Sequence, residues 1–392
     1  PTLRLAAPPC RARTAHPVVA NEETKRVQRI LGQVVQTYGR AHDNPWAVSH
    51  AMLALGPDLT LDNGRAAVDH LFETYAEEVD VGGRTLVHFP AARGSTRIEP
   101  HADLLLKALT EGGVSPERKV TVGGRPHTVA DLYRHSLHSF WVEGERVSCG
   151  EWDDVPWTLQ GLVAWANGDA SWVGANGKRQ SLDRATAAAA ERLGIEYRPI
   201  QLMQRQWERA GRLGNPPFAR DGQAILSYTC GGAHLLQGVA YAVGAGLGGP
   251  EARRTLEESV SAMRYRLRAE LAVIDRTIAE RPSLVVPLLA QRLKFTGHMV
   301  ESLHKLSAVG LLARDSEAQA DVEKAQAELV RTVLALEQSG LFDRMPALRE
   351  DGRPELEQLY LDIVGDSAHA LRGLGLAAGE ATLCHPRVDA QP

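Results

Sequence analysis

Four histidines occur in similar surroundings along this chain: Ser49-His50, Ala233-His234, Gly297-His298 and Ala368-His369. A small residue precedes each one. Four positions later comes Ala54, Gly238, Ser302 or Gly373, and five later Leu55, Val239, Leu303 or Leu374. On helices these faces superpose, because residues three and four apart share a helical face. Three of the histidines bring a second reactive group at that spacing: Cys230 one turn before His234, Asp366 before His369 and Glu301 after His298. Imidazole, thiolate and carboxylate ligate transition metals and carry catalytic protons. The pattern therefore points to a metal-dependent enzyme with His50, His234, His298, His369 and Cys230 as ligands, and Glu301 and Asp366 as further ligands or acid/base groups. Mixed N, O and S donors place zinc ahead of iron, copper or manganese. The alternative for each histidine is a packed core residue donating to a carbonyl or carboxylate, and for Cys230 a small buried hydrophobe or a disulfide partner of Cys149. His101 holds the equivalent slot in a fifth segment and Gly161 in a sixth, while His304 and Lys305 are expected to run on towards solvent.

A second constellation lies at Cys149-Gly-Glu151-Trp152-Asp153-Asp154-Val-Pro156-Trp157. Three carboxylates beside two indoles suit a glycoside hydrolase or polysaccharide lyase, one acid protonating the leaving oxygen and another activating water. Asp43 and Glu99 precede other apolar segments and would share that rim. Helix capping is the competing explanation, since acids at a helix start accept from its free N–H groups.

The elements that carry these residues come in two alternating classes. Charged amphipathic stretches cover 22–38, 65–78, 129–140, 184–193, 251–279 and 317–339; apolar, small-residue-rich stretches cover 45–56, 100–109, 156–166, 225–244, 294–310 and 364–379. The first class reads as outer helices and the second as helices buried on all sides. Successive apolar stretches start roughly 50 to 75 residues apart, the period of a helical hairpin. The expected fold is all-α, an (α/α)6 toroid of about six helical hairpins, with an open α-solenoid or irregular helical domain as the alternative. Short β-type runs around Gly turns at 79–89, 120–129 and 172–182 predict small hairpin insertions. Residues 1–20 are expected to form a flexible arm, 21–380 one domain and 381–392 a tail.

The combination of Cys230, His234, Asp366 and His369 on inner helices resembles the zinc-bearing α/α toroids, the protein prenyltransferase β-subunits and lanthionine-synthetase-like cyclases. DSAHALRGL (366–374) is similar to the prenyltransferase segment that carries the last zinc histidine, and YTC (228–230) to its Cys-bearing helix start. Position 228 is Tyr where that family places an acid, and the Cys-His-Gly of the cyclases is absent. The resemblance implies a zinc held at one end of a helical barrel.

Composition sets the remaining limits. The formal charge of -4, from 44 basic and 48 acidic residues spread along the chain, gives no basic stripe for nucleic acid. No apolar run reaches the roughly 18 residues of a membrane span. No P-loop, dinucleotide fingerprint, zincin motif or nucleophile elbow is present. The substrate class stays open between a small molecule, a peptide and a saccharide. Arg-rich usage suggests a high-GC bacterial source, and the N-terminal composition an exported or periplasmic location over a cytoplasmic one. Four cysteines leave Cys149 with Cys230, and Cys10 with Cys384, as open pairings.

Overall fold

The structure is a computed structural model and describes residues 10–11, 14–166, 170–219 and 223–386. It is all-α with small antiparallel strand pairs. The chain runs α1 (Glu22–Tyr38), α2 (Pro45–Leu55), α3 (Ala67–Tyr75), α4 (Leu104–Glu111), α5 (Val129–Ser139), α6 (Val155–Trp165), α7 (Leu182–Arg209), α8 (Ala233–Gly244), α9 (Gly249–Glu280), α10 (Val285–Ala308), α11 (Ser316–Gln338), α12 (Met345–Glu350) and α13 (Pro354–Ala378).

Helices α2, α4, α6, α8, α10 and α13 contain the apolar segments, and every residue of α6 is buried. Helix α2 packs on α4, α4 on α6, α6 on α8, α8 on α10, α10 on α13, and α13 back on α2. Among the charged helices, α7 packs on α9, α9 on α11 and α11 on α1. At two of the four positions, Gly238 and Gly373, the small residue four places after the histidine has a packing cause. A Cβ on Gly238 would stand 2.6 Å from Pro156 Cα on α6, and one on Gly373 2.8 Å from the Glu301 backbone N on α10. Only glycine lets these backbones approach so closely.

Local chemistry starts the elements where expected. Asn44 accepts from Ala47 N at the start of α2, and Pro45 fills its first turn. The anticipated hairpins form as Glu77–Val81 with Arg84–His88, Lys119–Val122 with Arg125–Thr128, and Ser171–Val173 with Arg179–Ser181. The first two turn on Gly82-Gly83 and Gly123-Gly124, all at positive φ, which suits the right-handed twist of a tight hairpin.

Several boundaries differ. Residues 65–78 do not form one helix, because Glu77 already begins a strand. The stretch 100–109 becomes helical only at Leu104, after Asp103 takes a left-handed φ of 63°. The stretch 225–244 opens with short 3-10 turns and becomes α-helical only at Ala233, because Cys230, Gly231 and Gly232 all adopt positive φ. Helix α7 extends to Arg209 through Pro199, beyond the expected end near 193.

At the chain ends, Cys10–Arg11 pairs with Leu383–Cys384, and a disulfide joins Cys10 to Cys384. Cys149 and Cys230 are free thiols, so the pairing between them does not form. The backbone N of Ala15 and the His16 ring bond to Ser307 near the end of α10. Among the described residues no helix is long and apolar enough to cross a membrane.

Candidate metal centre

The six apolar helices surround a cavity of about 850 Å³ whose wall includes His50, His101, His234, His298 and His369. Four of these rings touch. His369 lies 4.1 Å from His298, 5.1 Å from His234 and 5.3 Å from His50, centroid to centroid, and His234 lies 5.0 Å from His298. Ligand atoms of Cys230, His234 and His298 all fall within 4.8 Å of one another, so these three could hold a metal ion. His50 and His369 stand beside that group.

Three of the four imidazoles are oriented from behind. His50 Nδ1 donates to the Trp46 carbonyl at 2.8 Å, and His298 Nδ1 to the Lys294 carbonyl at 2.8 Å, one turn back on their own helices. His369 Nδ1 lies 2.7 Å from Glu301 Oε2 and donates to it, because a carboxylate only accepts. Their Nε2 atoms are thereby left as acceptors. His298 Nε2 and His234 Nδ1 are buried without a hydrogen-bond partner among the described residues. Such orphaned nitrogens are costly unless something binds them, and a cation between them fits that need.

Cys230 reaches the cluster by a route the sequence does not display. It is not one helical turn from His234; it sits on a loop at φ 53°, followed by Gly231 and Gly232 at 61° and 78°. Asp153 clamps this loop, accepting from the Thr229 backbone N at 2.7 Å and its hydroxyl at 2.5 Å. Arg266 bonds the Gly231 carbonyl at 2.7 Å. A non-glycine residue in the left-handed region stores strain that persists only where surroundings enforce it.

The two helix carboxylates pair crosswise. Glu301 and His298 share a face of α10 by spacing, yet Glu301 bonds His369 on α13. Asp366 shares α13 with His369, yet its Oδ1 lies 3.8 Å from His298 Nδ1, and its Oδ2 is buried without a hydrogen-bond partner among the described residues. The packing of α10 against α13 produces the exchange. Glu301 is wholly buried and supports the site from beneath, whereas Asp366 lines the cavity.

Burial dominates the electrostatics. It pushes His50 down to about 3 and His298 to about 4, and holds His234 and His369 well below the usual imidazole range. It pushes the Cys230 thiol and the Asp366 carboxyl well up. Burial opposes ionisation of Glu301 too, but Lys305 and then His369 hold its carboxyl well below the carboxylate range. Burial thus favours neutral imidazoles and the neutral form of Asp366, while Glu301 is held towards its ionised form.

The acidic stretch disperses. Glu151 is exposed and lines neither cavity described here, Asp153 serves the Cys230 loop, and Asp154 Oδ1 accepts from His101 Nδ1 at 3.0 Å. His101 stacks on Trp157 with centroids 4.4 Å apart. Asp43 sits at the mouth of the large cavity, paired with Arg349 at 3.2 Å. Glu99 accepts from Leu105 N at 2.8 Å and faces a smaller cavity of about 310 Å³ with Asp103 and Asp154. Gly161 gives room to Leu106.

Sequence reasoning missed the layer beneath the histidines. Lys305 does not run to solvent: it is buried, 2.8 Å from Glu111 and 2.9 Å from Glu301, and His304 is buried beside Thr14. Lys107, Gln237 and Arg372 complete this layer. A charged residue inside an otherwise apolar helix was the available signal, since such a residue requires a partner. No family model, no curated protein and no solved structure matches this chain.

Proposed function

We propose that this chain is a metal-dependent enzyme on an (α/α)6 toroid, with Cys230, His234 and His298 holding a transition metal in the central cavity. The observation that carries the reading is the convergence of those three ligand atoms within 4.8 Å, two of them on histidines with an orphaned buried nitrogen. Three protein ligands of mixed N and S type suit zinc before iron, copper or manganese, and leave a coordination position for substrate or water. When bound, the ion supplies Lewis-acid polarisation and lowers the pKa of a coordinated water. The chain's own groups supply the proton traffic: His369, oriented by Glu301, offers Nε2 as the acceptor, and Asp366 on the cavity wall, whose carboxyl burial pushes well up, is the donor. Two carboxyls pushed in opposite directions divide acid from base roles. The Cys10–Cys384 disulfide supports an exported location, because such bonds persist in oxidising compartments.

The test is elemental analysis of purified protein after metal supplementation and dialysis. One equivalent of a transition metal is expected, lost in Cys230→Ser and His298→Ala while the helical circular dichroism signal is kept. A folded protein that stays metal-free under these conditions sinks the reading. A second reading, saccharide hydrolysis or elimination, draws on the smaller cavity, where burial pushes the Glu99 carboxyl well up and that of Asp103 up. It predicts metal-indifferent activity on saccharides that Asp103→Asn abolishes.

A further inference from the structure

Beneath the cavity, one polar network joins five of the six apolar helices. Lys305 Nζ on α10 bonds Glu111 on α4 at 2.8 and 3.2 Å and the Gln237 Oε1 on α8 at 3.1 Å. It also lies 2.9 Å from Glu301 Oε1, with which it forms an ion pair. Gln237 Nε2 donates to Glu301 Oε2 at 3.2 Å and to Ser302 Oγ at 2.8 Å. Arg372 on α13 approaches Glu301 at 3.4 Å and Glu111 at 3.5 Å, and its guanidinium bonds the Leu53 carbonyl of α2 and the Thr382 carbonyl. The amide of Gln237 has one possible orientation, since an ammonium only donates and a carboxylate only accepts.

Lys305, Gln237 and Arg372 all approach Glu301, and among the described residues the ring that Glu301 bonds is that of His369. We propose that Lys305 and Gln237 are positioning residues that, through Glu301, set the tautomer of His369 so that its Nε2 faces the cavity as an acceptor. The proposal deepens the reading of His369 as the proton acceptor. Its physical basis is the contrast between the two states of Glu301. As an anion it accepts from Nδ1–H, and Nε2 keeps its lone pair. A wholly buried carboxylate that loses its nearest cation takes up a proton instead, and a protonated carboxyl donates to Nδ1 and moves the ring hydrogen to Nε2. Arg372 does not replace Lys305 in this role: its Nε makes no hydrogen bond among the described residues, and its outer nitrogens are engaged by carbonyls of other segments. Lys107, buried with Nζ unpartnered, belongs to the same layer and is pushed down to about 8 by burial despite Glu111.

The experiment is nitrogen NMR of the full chain labelled at histidine, with the His369 signals assigned through His369→Gln. It is read in chelator-treated protein, so it does not depend on whether a metal binds. In the wild type, Nδ1 is expected as the protonated, pyrrole-type nitrogen and Nε2 as the bare, pyridine-type one. Lys305→Met should exchange the two, and Lys305→Arg should restore the original pattern. Gln237→Met, which keeps the volume and removes all three bonds of the amide, should give a mixture and serves as the second variant should Lys305→Met fail to fold. A wild-type His369 protonated at Nε2 overturns the proposal, as does a folded Lys305→Met protein with the wild-type pattern. Absence of metal from the protein would refute the metal reading and leave this result untouched.

Discussion

His50 allows the electrostatics of the cavity to be tested by a difference of stabilities. Its ring is buried, and burial brings it from an ordinary value near 6.5 to about 3. Between those values the unfolded chain binds a proton that the folded one does not, so stability is present above pH 6.5 and falls as the pH drops towards 3. At pH 5 the loss from this one ring is about 2 kcal/mol, and at pH 6 about 0.8 kcal/mol, from the ratio of the two binding polynomials. Other groups shift as well, some oppositely: His298 and His304 act in the same direction, whereas Asp366, Glu99 and Asp103, whose carboxyls burial pushes up, contribute more stability as the pH falls. Comparison with His50→Asn cancels them. Asn can still donate to the Trp46 carbonyl as Nδ1 does, but it does not titrate. Urea unfolding followed by circular dichroism at pH 7 and pH 5 should therefore show the gap between wild type and variant shrinking by about 2 kcal/mol in acid. A gap that is constant within about 0.5 kcal/mol would show that His50 is not held neutral by the fold, and the account of the cavity as a set of neutral imidazoles would go with it.

Two further outcomes test the site and the packing around it. Because Cys230 carries a proton and His234 and His298 do not, zinc binding should release one proton. The affinity measured against a chromophoric chelator should then rise about tenfold per pH unit between about pH 6 and 8. Cys230→Ser should flatten that slope, and a slope of two or three in the wild type would contradict the neutral imidazoles. Gly238→Ala should cost about 1–3 kcal/mol, since its Cβ would stand 2.6 Å from Pro156 Cα. In contrast, Gly32→Ala, in α1 with no atom within 4 Å, should stabilise by up to about 1 kcal/mol; equal effects at the two sites would refute the close-approach argument.

What the sequence by itself determined was periodic. Alternating charged and apolar stretches, Pro-Trp starts and Gly-Gly turns specified the helices and hairpins, because helical and strand periods, caps and tight turns are local properties. Repetition of a histidine with small residues at fixed offsets singled out His50, His234, His298 and His369, whose rings touch along one cavity wall. The offsets also held the reason for close packing, seen now in Gly238 and Gly373.

Only the tertiary structure decided which groups work together. The spacing of Glu301 to His298 and of Asp366 to His369 suggested pairs within one helix, but each carboxyl reaches the histidine of the neighbouring helix, because side chains on adjoining helices point into the same seam. The Cys230 loop bends through three positive-φ residues under the hold of Asp153, which lies 76 residues away in sequence from its partner Thr229. Lys305 read as a solvent-bound end of a helix and is instead the buried counter-charge of Glu301 and Glu111. A charge in an apolar segment announces that a partner exists, but which partner it meets depends on helix packing over long sequence distances, and no local pattern encodes that.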